Sequence, residues 1–305
     1  MMRTGLISRI QRYSTKDGPG LRSTVFMQQC NLRCQWCANP ETIRPGFNVF
    51  WFKERCRQCG TCVQAAANNA ITLAAPGQGV NIDRKNCTNL LEMVDLCPYD
   101  AYEKVGKEMT SRELADLLLR DKAFYDTSHG GVTFSGGEPA LQAEFVNETA
   151  RLLKAEGVHV CLDTAGNIRW EKLRPLIETV DMVSYDFKAF DADIHLNCAR
   201  VDNRLILENA KAIAAMGKPI LARMVIVPTR NDQPDDIRKR LDFIRQLGSA
   251  VQQVDILEYH IYGVGKYQKL GWTYLLNDIP ACQPDMTTQI KQYAEDIGLK
   301  VTIGG

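Results

Sequence analysis

The strongest constraint on the fold is a regular alternation of strand-like and helix-like segments. Apolar residues recur at helical spacing between the strand-like runs, for example at Phe145, Thr149, Leu152 and Leu153. Since strands joined by helices pair in parallel, the alternation predicts an α/β fold. About six strand–helix units fit, fewer than the eight of a closed TIM barrel, so we expect a partial (β/α)6 TIM-like barrel. The six strand-like runs are "LRSTVFMQ" (21 to 28), "GGVTFS" (130 to 135), "VHVCLDT" (158 to 164), "MVSYDFK" (182 to 188), "ILARMVIVP" (220 to 228) and "VDILEYH" (254 to 260).

A cysteine-rich segment interrupts this alternation between residues 46 and 108. It holds "CRQCGTC", a turn signal at "APGQG", then Cys87 and the dipeptide Cys97–Pro98. We therefore divide the chain into a barrel of residues 1–45 and 109–305 and a small ferredoxin-like iron–sulfur insert of residues 46–108.

Composition narrows the setting of the protein. The 37 basic and 36 acidic side chains nearly balance, so the charge indicates no nucleic-acid partner and no anionic membrane. The N-terminal residues lack the apolar core of a signal peptide, and no run approaches the roughly 18 apolar residues of a spanning helix. Eleven cysteines, several of them two residues apart, favour metal ligation in a reducing compartment over disulfides. We expect a cytoplasmic protein.

The motif "CNLRCQWC" follows the first predicted strand directly and places three cysteines, Cys30, Cys34 and Cys37, within eight residues. A structural zinc site needs a fourth nearby Cys or His, and the nearest histidine is His129. A 4Fe–4S cluster held by three thiolates instead leaves one iron open to another ligand. We favour the cluster and keep zinc as the alternative.

Polar residues stand on or just after the other predicted strands, where α/β barrels collect their chemistry. "SGGEP" (135 to 139) ends the second strand. Taken singly, Asp163 and Asp186 are also typical of helix N-caps, and Lys188 and Arg223 are also typical of salt-bridge residues. We expect all of them to converge at one mouth of the barrel. The set continues with Asp163, Thr164, Asp186, Lys188, Arg223 and His260.

These blocks carry a family resemblance. The three-cysteine motif after a first strand, with "GGE" after the second, resembles the radical S-adenosylmethionine superfamily. "YSTKDGPGLRSTVFMQQC", "GGVTFSGGEPALQAEFV", "CLDTAG" and "YDFKAFDADIH" together resemble glycyl-radical-enzyme activases, the relatives of pyruvate formate-lyase activase, over essentially the whole chain. The resemblance implies that the open iron binds S-adenosylmethionine, which is cleaved reductively to a 5′-deoxyadenosyl radical. That radical then takes a hydrogen atom from a glycine of a partner glycyl radical enzyme.

The resemblance also implies roles for single residues. Backbone at Gly136 and Gly137 lets the S-adenosylmethionine approach, while Glu138 helps to hold its ammonium group. Asp163 and Asp186, with Thr164 as a weaker member, are candidate ligands of a monovalent cation beside the cofactor. The remaining residues implied to line the cofactor pocket are Trp36, Lys188, Arg223 and His260.

Two of the singled-out residues are candidate catalytic residues. Asp17 lies in "DGPG", which alone is an ordinary turn signal. Next to a cluster-bearing strand it resembles the activase segment that meets the glycine loop of the partner. Lys188 offers a positive charge to the carboxylate of the cofactor.

The insert departs from a two-cluster ferredoxin. Such ferredoxins repeat C-x2-C-x2-C-x3-C-P, and the fourth cysteine of each repeat ligates the other cluster. Only one complete set of ligands remains here, whereas Cys87 stands alone because Ala66, Leu90 and Met93 occupy the other positions. We expect one auxiliary 4Fe–4S cluster, with a zinc knuckle on the same thiolates as the alternative. Its ligands are Cys56, Cys59, Cys62 and Cys97.

The sequence therefore predicts an enzyme that activates a glycyl radical enzyme and receives its electron from a flavodoxin or a ferredoxin-type reductant. Two other classes stay open. One is a radical S-adenosylmethionine enzyme that acts on a small molecule, and the other is a non-catalytic iron–sulfur electron carrier.

Overall fold

The computed structural model describes residues 2–304. Its main element is a nine-stranded open sheet with the order β13-β12-β11-β10-β9-β8-β2-β1-β7. Seven of these strands, β2 and β8 to β13, pair in parallel. The strands are β1 (Thr4–Ser14), β2 (Arg22–Met27), β3 (Asn48–Trp51), β4 (Ile71–Leu73), β5 (Val80–Ile82), β6 (Tyr102–Val105), β7 (Lys107–Thr110), β8 (Gly131–Gly136), β9 (His159–Thr164), β10 (Met182–Asp186), β11 (Ile220–Ile226), β12 (Val251–Glu258) and β13 (Val301–Ile303).

Helices connect the parallel strands and cover the sheet. Thr110 is the N-cap of α3 and forms a capping box with Glu113. The Thr110 hydroxyl accepts from the Glu113 amide, and the Glu113 carboxylate accepts from the Thr110 amide. The helices are α1 (Thr61–Ala65), α2 (Met93–Leu96), α3 (Ser111–Leu119), α4 (Lys122–Ser128), α5 (Ala143–Ala155), α6 (Trp170–Thr179), α7 (Ala192–Ala199), α8 (Arg204–Ala215), α9 (Pro234–Gln246), α10 (Val264–Leu270) and α11 (Pro284–Asp296).

The predicted partial barrel is confirmed. All six predicted strands form, and their apolar residues pack with the inner faces of the helices into one large core. The structure adds a seventh parallel strand, β13, and two antiparallel strands, β1 beside β2 and β7 at the edge beside β1. None of the helices in residues 2–304 is long and apolar enough to cross a membrane.

The cysteine-rich segment builds its own small sheets and its own apolar cluster. β3 pairs with β6 and β4 pairs with β5, both antiparallel. Its apolar cluster, separate from the main core, includes Ile71, Val80 and Met93. Lys107 and Glu108, which we placed in the insert, belong instead to β7 of the main sheet, because β7 pairs with β1.

Candidate active site

A cavity of about 580 Å³ lies at the carboxyl edge of the sheet. Such a volume is typical of pockets for small ligands and cofactors. The cavity brings together most of the predicted site residues of the barrel, from six different segments of the chain. The predicted residues that line it are Cys30, Trp36, Cys34, Cys37, Gly136, Gly137, Asp163, Thr164, Asp186, Lys188, Arg223 and His260.

The segment between Cys30 and Cys37 is held by backbone hydrogen bonds from other parts of the fold. The Arg33 amide donates to the Ala199 carbonyl at 2.8 Å, and the Gln35 amide donates to the Cys198 carbonyl at 3.0 Å. Both carbonyls lie at the C-terminal end of α7, where a helix leaves its last carbonyls without partners. The end of α7 therefore anchors the segment between Cys30 and Cys37 at Arg33 and Gln35.

The pKa values of the three thiols suit the ligation of positively charged iron. Burial and the neighbouring Cys34 raise the pKa of Cys30 to about 12, and they raise the pKa of Cys37 to about 12 as well. Positive charge from bound iron is what converts such thiols to thiolates. In residues 2–304, no three His, Cys, Asp or Glu side chains converge tightly enough for a single metal ion. The three thiols all border the cavity of about 580 Å³.

Gly136 and Gly137 line the cavity, but their missing side chains also make room for the chain itself. A Cβ on Gly136 would lie 2.6 Å from the Met27 nitrogen, and one on Gly137 would lie 2.1 Å from the Gln29 carbonyl oxygen. Gly136 also has a φ of +98°, which disfavours other residues. The glycines thus bring the end of β8 against the end of β2.

Glu138 lies beneath the cavity wall and does not line the cavity. Its carboxylate accepts hydrogen bonds from the Thr164 hydroxyl at 2.7 Å and from the Ala140 and Ala165 amides at 3.1 Å each. Burial raises the pKa of Glu138 to about 7, although these three donors oppose the shift. In this arrangement Glu138 ties the ends of β8 and β9 together, and its contact with the cofactor's ammonium stays a prediction.

Charged side chains alternate across the cavity floor. The Arg223 guanidinium lies 3.3 Å from the Asp163 carboxylate, and the Lys188 ammonium donates to Asp186 at 2.7 Å. Although burial lowers the pKa of Arg223, the carboxylates of Asp163, Asp186 and Asp17 outweigh it and raise the pKa overall. Burial raises the pKa of Asp163, and the neighbouring Asp186 adds to the shift. Asp163 and Asp186, the predicted cation ligands, are therefore each paired with a basic side chain already.

Asp17 lies outside this cavity, in an adjoining groove of about 450 Å³. Its carboxylate accepts from the Ser14 and Thr24 hydroxyls at 2.5 Å and 2.6 Å. Arg223 connects the two spaces, because it lies 3.7 Å from Asp17 and also lines the cavity. The residues common to both spaces are Lys16, Ala38, Asn39 and Tyr262.

Aromatic side chains form part of the cavity rim. His260 is exposed, and its ring lies 4.8 Å from that of Tyr262, which is 78% exposed. Trp36 is instead buried in an apolar cluster that includes Tyr259 and Tyr267. His260 and Tyr262 thus mark the solvent side of the site.

The insert brings its four predicted ligands around one small cavity. Cys87 does not line it, and Cys87 packs in the apolar cluster of the insert with Met93. Leu90 and Ala66 border the same cluster. Apolar volume therefore occupies the region where a second cluster would need ligands. The four cysteines at the small cavity are Cys56, Cys59, Cys62 and Cys97.

Several contributors to the site were missed from the sequence. The Ser135 hydroxyl donates to Asp163 at 2.6 Å, although "SGGEP" drew attention only to its glycines and glutamate. Lys16, Asn39 and Tyr262 line the cavity without any local pattern to mark them. Only their position beside the recognised motifs could have suggested them.

Comparisons with known proteins agree with this geometry. Residues 24–243 match the radical SAM superfamily. The chain is 34% identical to the (2S)-3-sulfopropanediol dehydratase activating enzyme of Klebsiella oxytoca, over 95% of this chain and 93% of that protein. It is 35% identical to the benzylsuccinate synthase activating enzyme of Thauera aromatica, over 100% of this chain and 94% of that protein.

A solved domain of the pyruvate-formate lyase-activating enzyme from Bacteroides vulgatus is similar in structure, with a TM-score of 0.50 and 27% identity. It covers 58% of this chain and 99% of that domain. The chain thus belongs to the radical SAM superfamily and, within it, to the activating enzymes of glycyl radical enzymes.

Proposed function

We propose that this protein activates a glycyl radical enzyme by abstracting a hydrogen atom from one of its glycines. The observation that carries the proposal is the junction of two spaces, a cavity bordered by three thiols and a groove bordered by Asp17. When bound, the 4Fe–4S cluster and S-adenosylmethionine supply the reducing electron and the 5′-deoxyadenosyl radical that takes the hydrogen atom. The similar activating enzymes of Klebsiella oxytoca and Thauera aromatica are named for different partner enzymes.

Cys30, Cys34 and Cys37 hold the cluster in this proposal, and the charges on the cavity floor hold the S-adenosylmethionine. Lys188 presents a largely buried ammonium that attracts the cofactor's carboxylate, and Arg223 offers a second positive charge to the same cavity. Asp163 and Asp186 balance these basic groups and are our candidate ligands for a monovalent cation. Gly136, Gly137, Trp36 and His260 complete the walls.

The groove beside Asp17 receives the glycine loop of the partner. The Asp17 carboxylate is oriented by the hydroxyls of Ser14 and Thr24. Its remaining acceptor capacity is therefore available to amide donors of an entering loop. A loop in the groove also covers the side of the cavity at Lys16 and Tyr262. Excluding water there protects a reactive radical from solvent.

The insert holds one auxiliary 4Fe–4S cluster on Cys56, Cys59, Cys62 and Cys97, and a flavodoxin or a ferredoxin-type protein supplies the electron. The cysteines of the described chain are free thiols. Free thiols and iron–sulfur ligation suit the reducing cytoplasm, which is where we place the protein.

The test begins with the cofactor chemistry. Anaerobically reconstituted protein with dithionite should convert S-adenosylmethionine to 5′-deoxyadenosine, and Cys34→Ser should abolish the conversion. Cys282→Ser, which removes a thiol outside the cavity, is the matched control and should keep it. Turnover that survives in Cys34→Ser would refute the cluster assignment.

The second part of the test concerns the partner. Incubation with the glycyl radical enzyme encoded nearest in the genome should give a glycyl radical signal in electron paramagnetic resonance. Cleavage of S-adenosylmethionine without this signal in any glycyl radical enzyme tried would favour a small-molecule substrate instead.

A further inference from the structure

The cluster-binding segment has two faces, because alternate residues line different spaces. Leu32, Cys34 and Trp36 line the cofactor cavity. Arg33 and Gln35 line a separate outer cavity of about 240 Å³, together with Cys34. In the part of the chain that the structure describes, Cys34 is the one residue common to the two spaces. The thiol ligand Cys34 is therefore approached from outside as well as from the cofactor side.

The outer cavity has a basic and apolar surface. Arg33 and Arg44 are both exposed, and no acidic side chain lines this cavity within residues 2–304. The Arg44 guanidinium lies 4.6 Å from the centre of the Trp272 ring, and Leu275 is 61% exposed. Arginine and tryptophan are enriched among the residues that dominate protein interfaces.

The two arginines play different parts in this surface. Arg33 donates through one nitrogen to the carbonyls of Cys30 and Leu32 at 2.7 Å each, so it also shapes the cluster-binding segment. The side chain of Arg44 has its described contact with the Trp272 ring, outside that segment. Arg44 is therefore the residue through which the surface can be tested without altering the segment.

We propose that the outer cavity and its rim, the Arg44 surface, are the docking site of a one-electron carrier protein with an acidic surface around its redox centre. This inference rests on the proposed function and deepens it. On docking, the reduced carrier loses one electron, and the oxidised cluster on Cys30, Cys34 and Cys37 gains it. No proton or other atom is transferred in this step.

The charge and the position of the Arg44 surface favour an acidic carrier. Two exposed guanidinium groups attract an acidic surface and raise the rate of encounter, an effect that weakens as salt increases. Exposed Leu275 and the Trp272 ring supply apolar contact area at the centre. The carrier would approach the cluster from the side away from S-adenosylmethionine. The carrier and S-adenosylmethionine can therefore be bound at the same time.

The test compares two electron sources in one assay. We would measure 5′-deoxyadenosine formation driven either by dithionite or by enzymatically reduced flavodoxin, and separately by a reduced two-cluster ferredoxin. The test variant is Arg44→Glu with Thr273→Glu, two exposed positions on the surface. Arg151→Glu, at an exposed position on α5, is the matched control for charge.

The double variant should keep the dithionite-driven rate and lose at least about ten-fold in kcat/KM for the carrier, mainly through KM. Arg44→Gln should lose less, and Arg151→Glu nothing. Titration of the cluster-free chain with flavodoxin should show the same order of binding affinity. A kcat/KM of the double variant that is unchanged with both carriers would overturn the docking site. An equal loss of the dithionite-driven rate would also overturn it, because the surface would then support the cluster itself. If the native protein forms no 5′-deoxyadenosine with dithionite, the proposed function itself is refuted.

Discussion

Glu138, which the motif implies as a ligand of the cofactor's ammonium group, also ties two strand ends together in the fold. Its carboxylate lies under the cavity wall with three donors around it. Because the charged form is costly in a buried site, the folded state favours the protonated carboxyl. Ionisation of Glu138 therefore has a consequence for stability.

Replacing Glu138 should change how stability depends on pH. The pKa of Glu138 rises from 4.5 to about 7 on folding, so its contribution is fully present below about 4.5 and is lost as pH rises towards 7. The displacement corresponds to about 3 kcal/mol. Relative to Glu138→Gln, the native protein should lose unfolding free energy between pH 5 and about 7, measured by denaturant unfolding of cluster-free protein. A difference that stays constant with pH would show that the carboxyl remains charged throughout.

Asp17 allows cofactor cleavage to be separated from partner activation. Because its carboxylate lines the groove and not the cavity, Asp17→Asn should leave uncoupled 5′-deoxyadenosine formation nearly unchanged. The same variant should suppress the glycyl radical of the partner at least about ten-fold, read by electron paramagnetic resonance. The Arg223 contact makes this a demanding test, since equal loss of both activities would place Asp17 in the cofactor site.

At the scale of an element, the loop after β10 carries Lys188 and is held by buried side chains. Asn231 donates to the Lys188 carbonyl at 2.8 Å, and Asn203 donates to the Phe190 carbonyl at 2.6 Å. Asp236 accepts from the Phe190 amide at 2.9 Å and forms a buried ion pair with Arg240. Each of these polar side chains is almost fully buried. The network fixes the loop because buried polar groups are costly to leave unpaired.

Loss of Asn231 should loosen Lys188. Asn231→Ala leaves the Lys188 and Val225 carbonyls without their donor and should cost about 1 to 3 kcal/mol of unfolding free energy. It should also raise KM for S-adenosylmethionine about ten-fold with a smaller change in kcat. Asn147→Ala, a hydrogen-bonding asparagine on α5, is the control for the loss of an amide. Reduced stability with an unchanged KM would mean that the network supports the fold alone.

At the scale of the whole molecule, the insert is connected to the barrel through a few specific contacts. Arg84 donates to the Val49 carbonyl within the insert and to the Lys269 carbonyl of α10. The Lys269 ammonium in turn lies 4.3 Å from the centre of the Phe52 ring. These contacts join the insert to the barrel.

The iron content of the whole protein tests the count of clusters. Two cubes require about eight irons per chain, against about twelve with a second ferredoxin cube. Replacing Cys56, Cys59 and Cys62 by Ser should leave about four irons, whereas Cys87→Ser should change the count little. Iron and sulfide assays on reconstituted protein measure this. Zinc in place of about four irons would make the insert a structural knuckle, and loss of a whole cube from Cys87→Ser would contradict the assignment.

Fold and motifs were accessible from the sequence because they depend on near neighbours in the chain. The six parallel strands follow from short apolar runs, and the three-cysteine motif follows from spacing within eight residues. The strand β1 was missed because buried, half-buried and exposed positions are mixed along it without a regular apolar run, and pairing with β2 and β7 holds it in place. Local patterns indicate burial well and pairing between strands poorly.

Contacts between distant residues were decided by the tertiary structure alone. Arg223 and Asp163 are 60 residues apart, and Thr164 and Glu138 are 26 apart, yet each pair is in contact. The sequence by itself determined a partial barrel with a three-thiolate site at the ends of its strands. Only the folded chain decided that Glu138 faces the wall, that Asp17 lines a separate groove and that Cys34 is reached from two sides. The physical reason is that side-chain direction and partner depend on packing between elements, which no local spacing encodes.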